Sequence, residues 1–282
     1  MVPGTIFLGL GDTFIKRLLN TGMSSEFLVG FNFLFVGVVG LSISVVAGIP
    51  DLQPGFWAAC MTTVVINIFA QLAFYKAFQR GEASFVSAMR LITPPLVLIT
   101  GFFILGEKPS VLGVIGVLTT IAGLWFLVGE SFEREMPLRE RIRQPVFLYA
   151  LAGAVGFAFS FPFDKQAVMA SSAIFFIGVA FFLVGVGNLL LGYLTAPDRK
   201  RFFHIPREAL RILPFSLPVH VLGSFMTIQA LNYSLAAYAS SVKRLWSFWG
   251  VLFSGAILKE KNIGKKLWAV VIMLAGIVLT VI

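Results

Sequence analysis

The stretch YASSVKRLWSFWGVLFSGAILKEK, residues 238–261, places two adjacent cations, Lys243 and Arg244, well inside an apolar run. Each charge at mid-bilayer costs roughly 2.5–3.5 kcal/mol on insertion scales. A helix over 236–258 that crosses about 30 Å of hydrocarbon puts Lys243 about 6 Å from its midpoint. Snorkelling covers part of that distance, but two such neighbours still require water, a counter-ion or a ligand.

A second apolar run, VSAMRLITPPLVLITGFFILGEKPS, carries the same oddity at Arg90. At one ungapped offset of 153 residues, 73–127 lies on 226–280. Arg90 then meets Lys243, Ser87 meets Ser240, and Glu107-Lys108 meets Glu260-Lys261. The matched features are the unusual ones, so the chain reads as a duplicated unit.

Of the 282 residues, 58% are hydrophobic and 12% charged, about half the charged share of a soluble domain. This composition predicts a polytopic membrane protein. The formal charge of +9 belongs to loops beside anionic lipid rather than to a nucleic-acid surface. The lone cysteine, Cys60, excludes an internal disulfide. Lacking a charged leader and a cleavage site, the first apolar run reads as a retained helix.

The hydropathy pattern predicts ten spans: 2–19, 25–47, 55–79, 84–106, 109–129, 145–165, 171–195, 212–233, 236–258 and 264–282. The expected fold class is therefore an all-α membrane protein of two five-helix repeats, 1–129 and 145–282, joined by the charged linker 130–144. An odd number of spans per repeat inverts the second copy. Opposite entry brings Arg90 and Lys243 to similar depth near the midplane.

Helical spacing puts Ser87 on the Arg90 face, and Ser240 and Ser247 near the Lys243-Arg244 face. Hydroxyl plus cation suits carboxylate or phosphate oxygens. Asp12 and Lys16 in the first span, at i and i+4, are placed to pair; the other reading makes Asp12 a counter-ion or proton site. Pro94 and Pro95 deprive the carbonyls of Arg90 and Leu91 of their helical partners, which puts free backbone polarity beside Arg90. Tyr75 and His220 add polar groups on spans 3 and 8, and Trp246 lies near the Lys243 face, placed to stack on a ring or a cation. Asp164 and Lys165, just after Pro162, read as markers of the membrane surface. No metal-ligand cluster, nucleotide-binding glycine motif or catalytic set stands out. Neither an enzyme nor a cofactor is expected.

The words YKAFQRGEASFVSAMRLITPPLVLITGFFILGEKPS and LTTIAGLWFLV, with AYASSVKRLWSFWGVLFSGAILKEK and MLAGIVLTVI in the second half, resemble the drug/metabolite transporter superfamily, in its EamA-type branch. The resemblance implies alternating access around a cavity lined largely by spans 4 and 9. Lys243-Arg244, and Arg90 four residues before Pro94, match the layout with which organophosphate carriers of that superfamily clamp phosphate.

The expected function is a secondary active transporter, exporter or exchanger, of a small anionic metabolite in the cell inner membrane, with a coupling proton or counter-substrate as partner. The alternatives are an exporter of amino acids or related zwitterions, with Asp12 on the amine and Arg90 on the carboxylate, and a membrane protein that handles a lipid phosphate. Orientation is read two ways. Loops after odd-numbered spans hold 17 Lys and Arg against two after even-numbered ones, which puts both termini outside; the family resemblance implies both inside.

Overall fold

The computed structural model describes residues 2–98, 110–132, 135–229 and 243–281. Its long helices are α1 (Val2–Asn20), α2 (Ser25–Ala47), α3 (Phe56–Arg80), α4 (Ala83–Leu98), α5 (Val111–Ser131), α6 (Pro145–Met169), α7 (Ala173–Thr195), α8 (Arg207–Gln229), α9 (Leu245–Leu258) and α10 (Ile263–Val281). No strand occurs among the described residues. Six of these helices, α2, α3, α5, α6, α7 and α8, are individually long and apolar enough to cross a membrane.

Local chemistry sets the helix starts. Ser24, Ser110 and Ser172 cap α2, α5 and α7, each hydroxyl accepting from the backbone N–H three residues on. Pro145 opens α6, where its missing N–H costs nothing.

Two helices differ from their expected bounds. α8 begins at Arg207, five residues earlier than the hydropathy pattern suggests, because Pro206 and Glu208 make a competent first turn ahead of the apolar run. α6 continues through Pro162 to Met169. One lost hydrogen bond is cheaper in lipid than the several carbonyls exposed by ending the helix there. Residues 99–106 of the expected span 84–106, 230–233 of 212–233 and 236–242 of 236–258 lie outside the described residues.

Helices from the two halves of the chain interdigitate. α2 packs on α7, α3 on α6, α5 on α10, α1 on α8 and α9, and α4 on α9. Close approach needs glycine at the tightest crossing. A Cβ on Gly37 of α2 would stand 2.3 Å from the backbone N of Phe182, and one on Gly185 of α7 would stand 2.4 Å from that of Leu34. Outward faces stay apolar: Leu118, Ile121 and Trp125 on α5 and Trp268, Val271 and Val278 on α10 are exposed. Hydrocarbon is the solvent that suits such faces.

Candidate functional site

The prolines of α4 shape the site from the backbone upward. Residues Arg90–Ile92 form a 3₁₀ turn, and the Thr93 N–H donates to the Arg90 carbonyl. The tighter turn thus gives that carbonyl the partner that Pro94 denies it.

From this turn Arg90, 6% exposed, reaches the fully buried Asp12 of α1; its Nη2 lies 3.4 Å from Asp12 Oδ1. The other carboxylate oxygen accepts from Ser87 Oγ at 2.8 Å. The guanidinium carbon lies 4.2 Å from the Phe74 ring centre and 4.4 Å from that of Trp246. One acid, itself held by the Ser87 hydroxyl, and the rings of Phe74, Trp246 and, at 5.7 Å, Phe78 therefore compensate a charge that burial alone would expel. Gly250 of α9 makes the approach possible: a Cβ there would stand 2.7 Å from Ser87 Oγ and 3.4 Å from Asp12 Oδ2.

Two further expected residues border this pair. Tyr75 is buried, its hydroxyl accepting from Asn32 Nδ2 at 2.9 Å. His220 Nδ1 lies 2.9 Å from the Ser216 carbonyl, which can only accept, so Nδ1 carries a proton and donates it there. That Nε2 edge rests against Gly11, the neighbour of Asp12.

Lys243 and Arg244 are half-buried at the start of α9. Lys243 lies within electrostatic reach of Arg244, Asp164 and Arg90, and Arg244 within reach of Arg90. The structure therefore brings the three intramembrane cations together, with Ser87, Asp12, Tyr75, His220 and Trp246 around Arg90. Ser240 lies outside the described residues. Among the described residues Arg244 has no carboxylate partner, and its Nε has no hydrogen bond.

Two expectations are corrected. Asp12 does not pair with Lys16. Lys16 Nζ donates instead to the Phe78 carbonyl at 2.8 Å, one of the last-turn carbonyls of α3 that have no helical partner and carry the negative end of the dipole. Asp164 is no surface marker either, since it is partly buried, its carboxylate accepts from Thr63 on α3, and Lys243 lies within its electrostatic reach. Sequence reading missed Asp164 because an acid beside a lysine near a helix end has the usual look of a membrane boundary. A register one residue shorter than 153 would have found it, since it lays Asp12 on Asp164 and Gly4 on Gly156. No group of three or more His, Cys, Asp or Glu placed to hold a metal occurs among the described residues.

Crossing helices with exposed apolar faces and a charged cluster between them define a multi-pass membrane protein built around an internal polar site. The model of the EamA-like transporter family matches residues 1–129 and 144–282, and the chain belongs to that family. It is accordingly a membrane transporter of small solutes and not an enzyme. A solved structure, described only as the crystal structure of a protein, shares the fold over 99% of this chain and 98% of that one, with 16% identity and a TM-score of 0.67. No curated protein matches the chain.

Proposed function

We propose that the chain is a secondary active transporter of a small anionic metabolite, built as two inverted five-helix repeats, 1–129 and 145–282, on either side of the linker 130–144. The substrate binds between α4 and α9, and the two repeats rock to expose it on alternate sides. One observation carries the reading: Arg244 is a half-buried guanidinium beside two other cations, with no acid opposite it among the described residues. Three cations, Arg90, Lys243 and Arg244, face two carboxylates, Asp12 and Asp164, so the empty site holds net positive charge. A bound carboxylate or phosphate neutralises it, and the planar guanidinium can take two oxygens at once.

A zwitterion is served less well. Its ammonium would need Asp12, which Arg90 and Ser87 already occupy.

The test is uptake into proteoliposomes of labelled carboxylates, sugar phosphates and amino acids. The anion reading expects uptake of at least one carboxylate or phosphate and its loss in Arg244→Gln. Removing a charge-assisted contact of about 1.5–3 kcal/mol weakens binding by roughly 10- to 150-fold. Uptake confined to neutral or cationic solutes would refute it.

A further inference from the structure

The two halves carry the same polar arrangement, although only one half forms an obvious ion pair. At the 153-residue register Arg90 corresponds to Lys243, Thr63 to Ser216 and Asn67 to His220. In the first and sixth helices, one residue shorter, Asp12 corresponds to Asp164. The contacts follow the same rule. α1 packs on α8, and α6 packs on α3. A Cβ on Gly4 would press on Thr227 of α8, and one on its counterpart Gly156 on Ala70 of α3. His220 reaches back four residues to the Ser216 carbonyl at 2.9 Å; Asn67 reaches back four residues to the Thr63 carbonyl at 3.0 Å. Asn67 Nδ2 also lies 3.2 Å from Thr63 Oγ1 and steers that hydroxyl, which donates to Asp164.

We propose that Asp164 is the counter-ion of Lys243 in the empty site, the second-half equivalent of the Asp12–Arg90 pair, and that an arriving anion takes its place. The proposal rests on the anion reading and adds to it a residue and a proton. The two pairs are not equal. Arg90 is closed in by Phe74 and Trp246 and bonded to Asp12. Lys243 is half-exposed and forms no direct ion pair with Asp164 among the described contacts. The Lys243 side is therefore the one that exchanges partners.

When the anion draws Lys243 away, Asp164 keeps Thr63 as donor but loses its cation. The other groups facing it do not replace that charge: Cys60 on α3 is a thiol, and Lys165 on α6 is exposed and points away from the buried face. Asp164 then takes a proton from solvent, forming its O–H bond as Lys243 moves onto the anion. Anion binding is thereby linked to uptake of about one proton.

Two measurements test this on the full-length protein in detergent. The first needs no ligand: melting temperatures of Asp164→Asn, Lys243→Met and the double variant. A pair predicts that each single change lowers the melting temperature and that the double variant recovers part of the loss; additive losses overturn it. The second is titration calorimetry with sulfate, which stays fully ionised, in two buffers of different ionisation enthalpy. The expected result is uptake of about one proton per sulfate in the wild type, none in Asp164→Asn, and sulfate affinity in that variant raised on the order of tenfold, because a competing like charge is gone. Equal proton uptake in both proteins overturns the proposal. If sulfate binds neither protein, the anion reading fails, and the melting cycle alone decides whether Asp164 and Lys243 pair.

Discussion

Burial makes Asp12 and Arg244 opposite cases at the scale of single residues. Asp12 lies 1% exposed between Arg90 and Ser87. Asp12→Asn strands a buried guanidinium and costs about 3–5 kcal/mol, the usual penalty for breaking a buried pair. Arg244→Gln strands nothing, because no acid among the described residues depends on it, and it removes a like charge beside Arg90 and Lys243; the melting temperature should hold or rise. Thermal melts in one detergent compare the two directly, and equal losses would mean that Arg244 braces the fold. Gly250→Ala adds a third case: its methyl would displace Ser87 from Asp12 and cost about 1–3 kcal/mol by overpacking. The sequence made the charges conspicuous, since Arg90, Lys243 and Arg244 interrupt apolar runs. It did not pair them. Lys16 stands one turn from Asp12 yet goes to the end of α3, because an orphan carbonyl there competes with a carboxylate already held on two sides. Such competition is settled by helix packing, which i,i+4 spacing does not encode.

Between elements, one helix end is capped from the other half of the chain. Glu260, after α9, accepts from the Ala83 and Ser84 N–H groups of α4 at 2.7 and 2.9 Å. This carboxylate satisfies two orphan donors and meets the positive end of the α4 dipole. Lys266 of α10, 1% exposed, donates to Glu82 and to Ser84 Oγ beside it. In sequence the GE-K and KEK words were visible only as a mark of duplication. Their role as a cap in trans depends on α9 ending beside the start of α4. The duplication is incomplete here, for the register places Leu235 opposite Glu82 and Gly113 opposite Lys266. This ionic clasp therefore belongs to one face of the molecule. Glu260→Ala should cost about 0.5–2 kcal/mol as a lost cap and loosen that face. A cavity of about 380 Å³ lined by Lys16, Asn20, Arg80, Glu82 and Glu260 offers a reporter. In a Cys60→Ala background, Leu258→Cys, at a partly buried position that also lines this cavity, should react with a thiol reagent faster when Glu260→Ala is added; an unchanged rate would mean the clasp does not hold this face closed.

The arrangement of the whole molecule bears on its orientation in the membrane. Lys76 pairs with Glu26 and Lys265 with Glu130, both at 3.0 Å, and Phe27 stacks edge-on against Phe202. With Glu260, between α9 and α10, accepting from Ala83 and Ser84 after α3, these contacts link the ends of α1, α3, α5, α7 and α9, so the connections after those helices share one face. By sequence, the connections after those helices and the helix ends beside them hold 17 of the 22 Lys and Arg residues. Only Lys108 and Lys165 belong to the opposite connections. Positive charge in short connections resists translocation, so a bias of this size predicts the shared face in the cytoplasm and both termini outside. The linker 130–144, with four arginines, is the best place to measure it. Glu140 is exposed there, and Glu140→Cys removes no positive charge. In a Cys60→Ser background, the new thiol should resist a membrane-impermeant maleimide in intact cells and react once the cells are opened. A cysteine placed at exposed Ser110, on the opposite face, should react in both. The reverse pattern would put the basic face outside and leave the family resemblance, with both termini inside, as the better guide. That outcome would also require the energetic preference of the cations to be overridden by the insertion of the first helices, whose own basic pair, Lys16-Arg17, lies at the end of α1. Moving that pair alone separates the two influences. Lys16→Gln/Arg17→Gln should leave the orientation unchanged if the remaining 15 cations on that face decide it, and should produce mixed labelling if the first helix dominates.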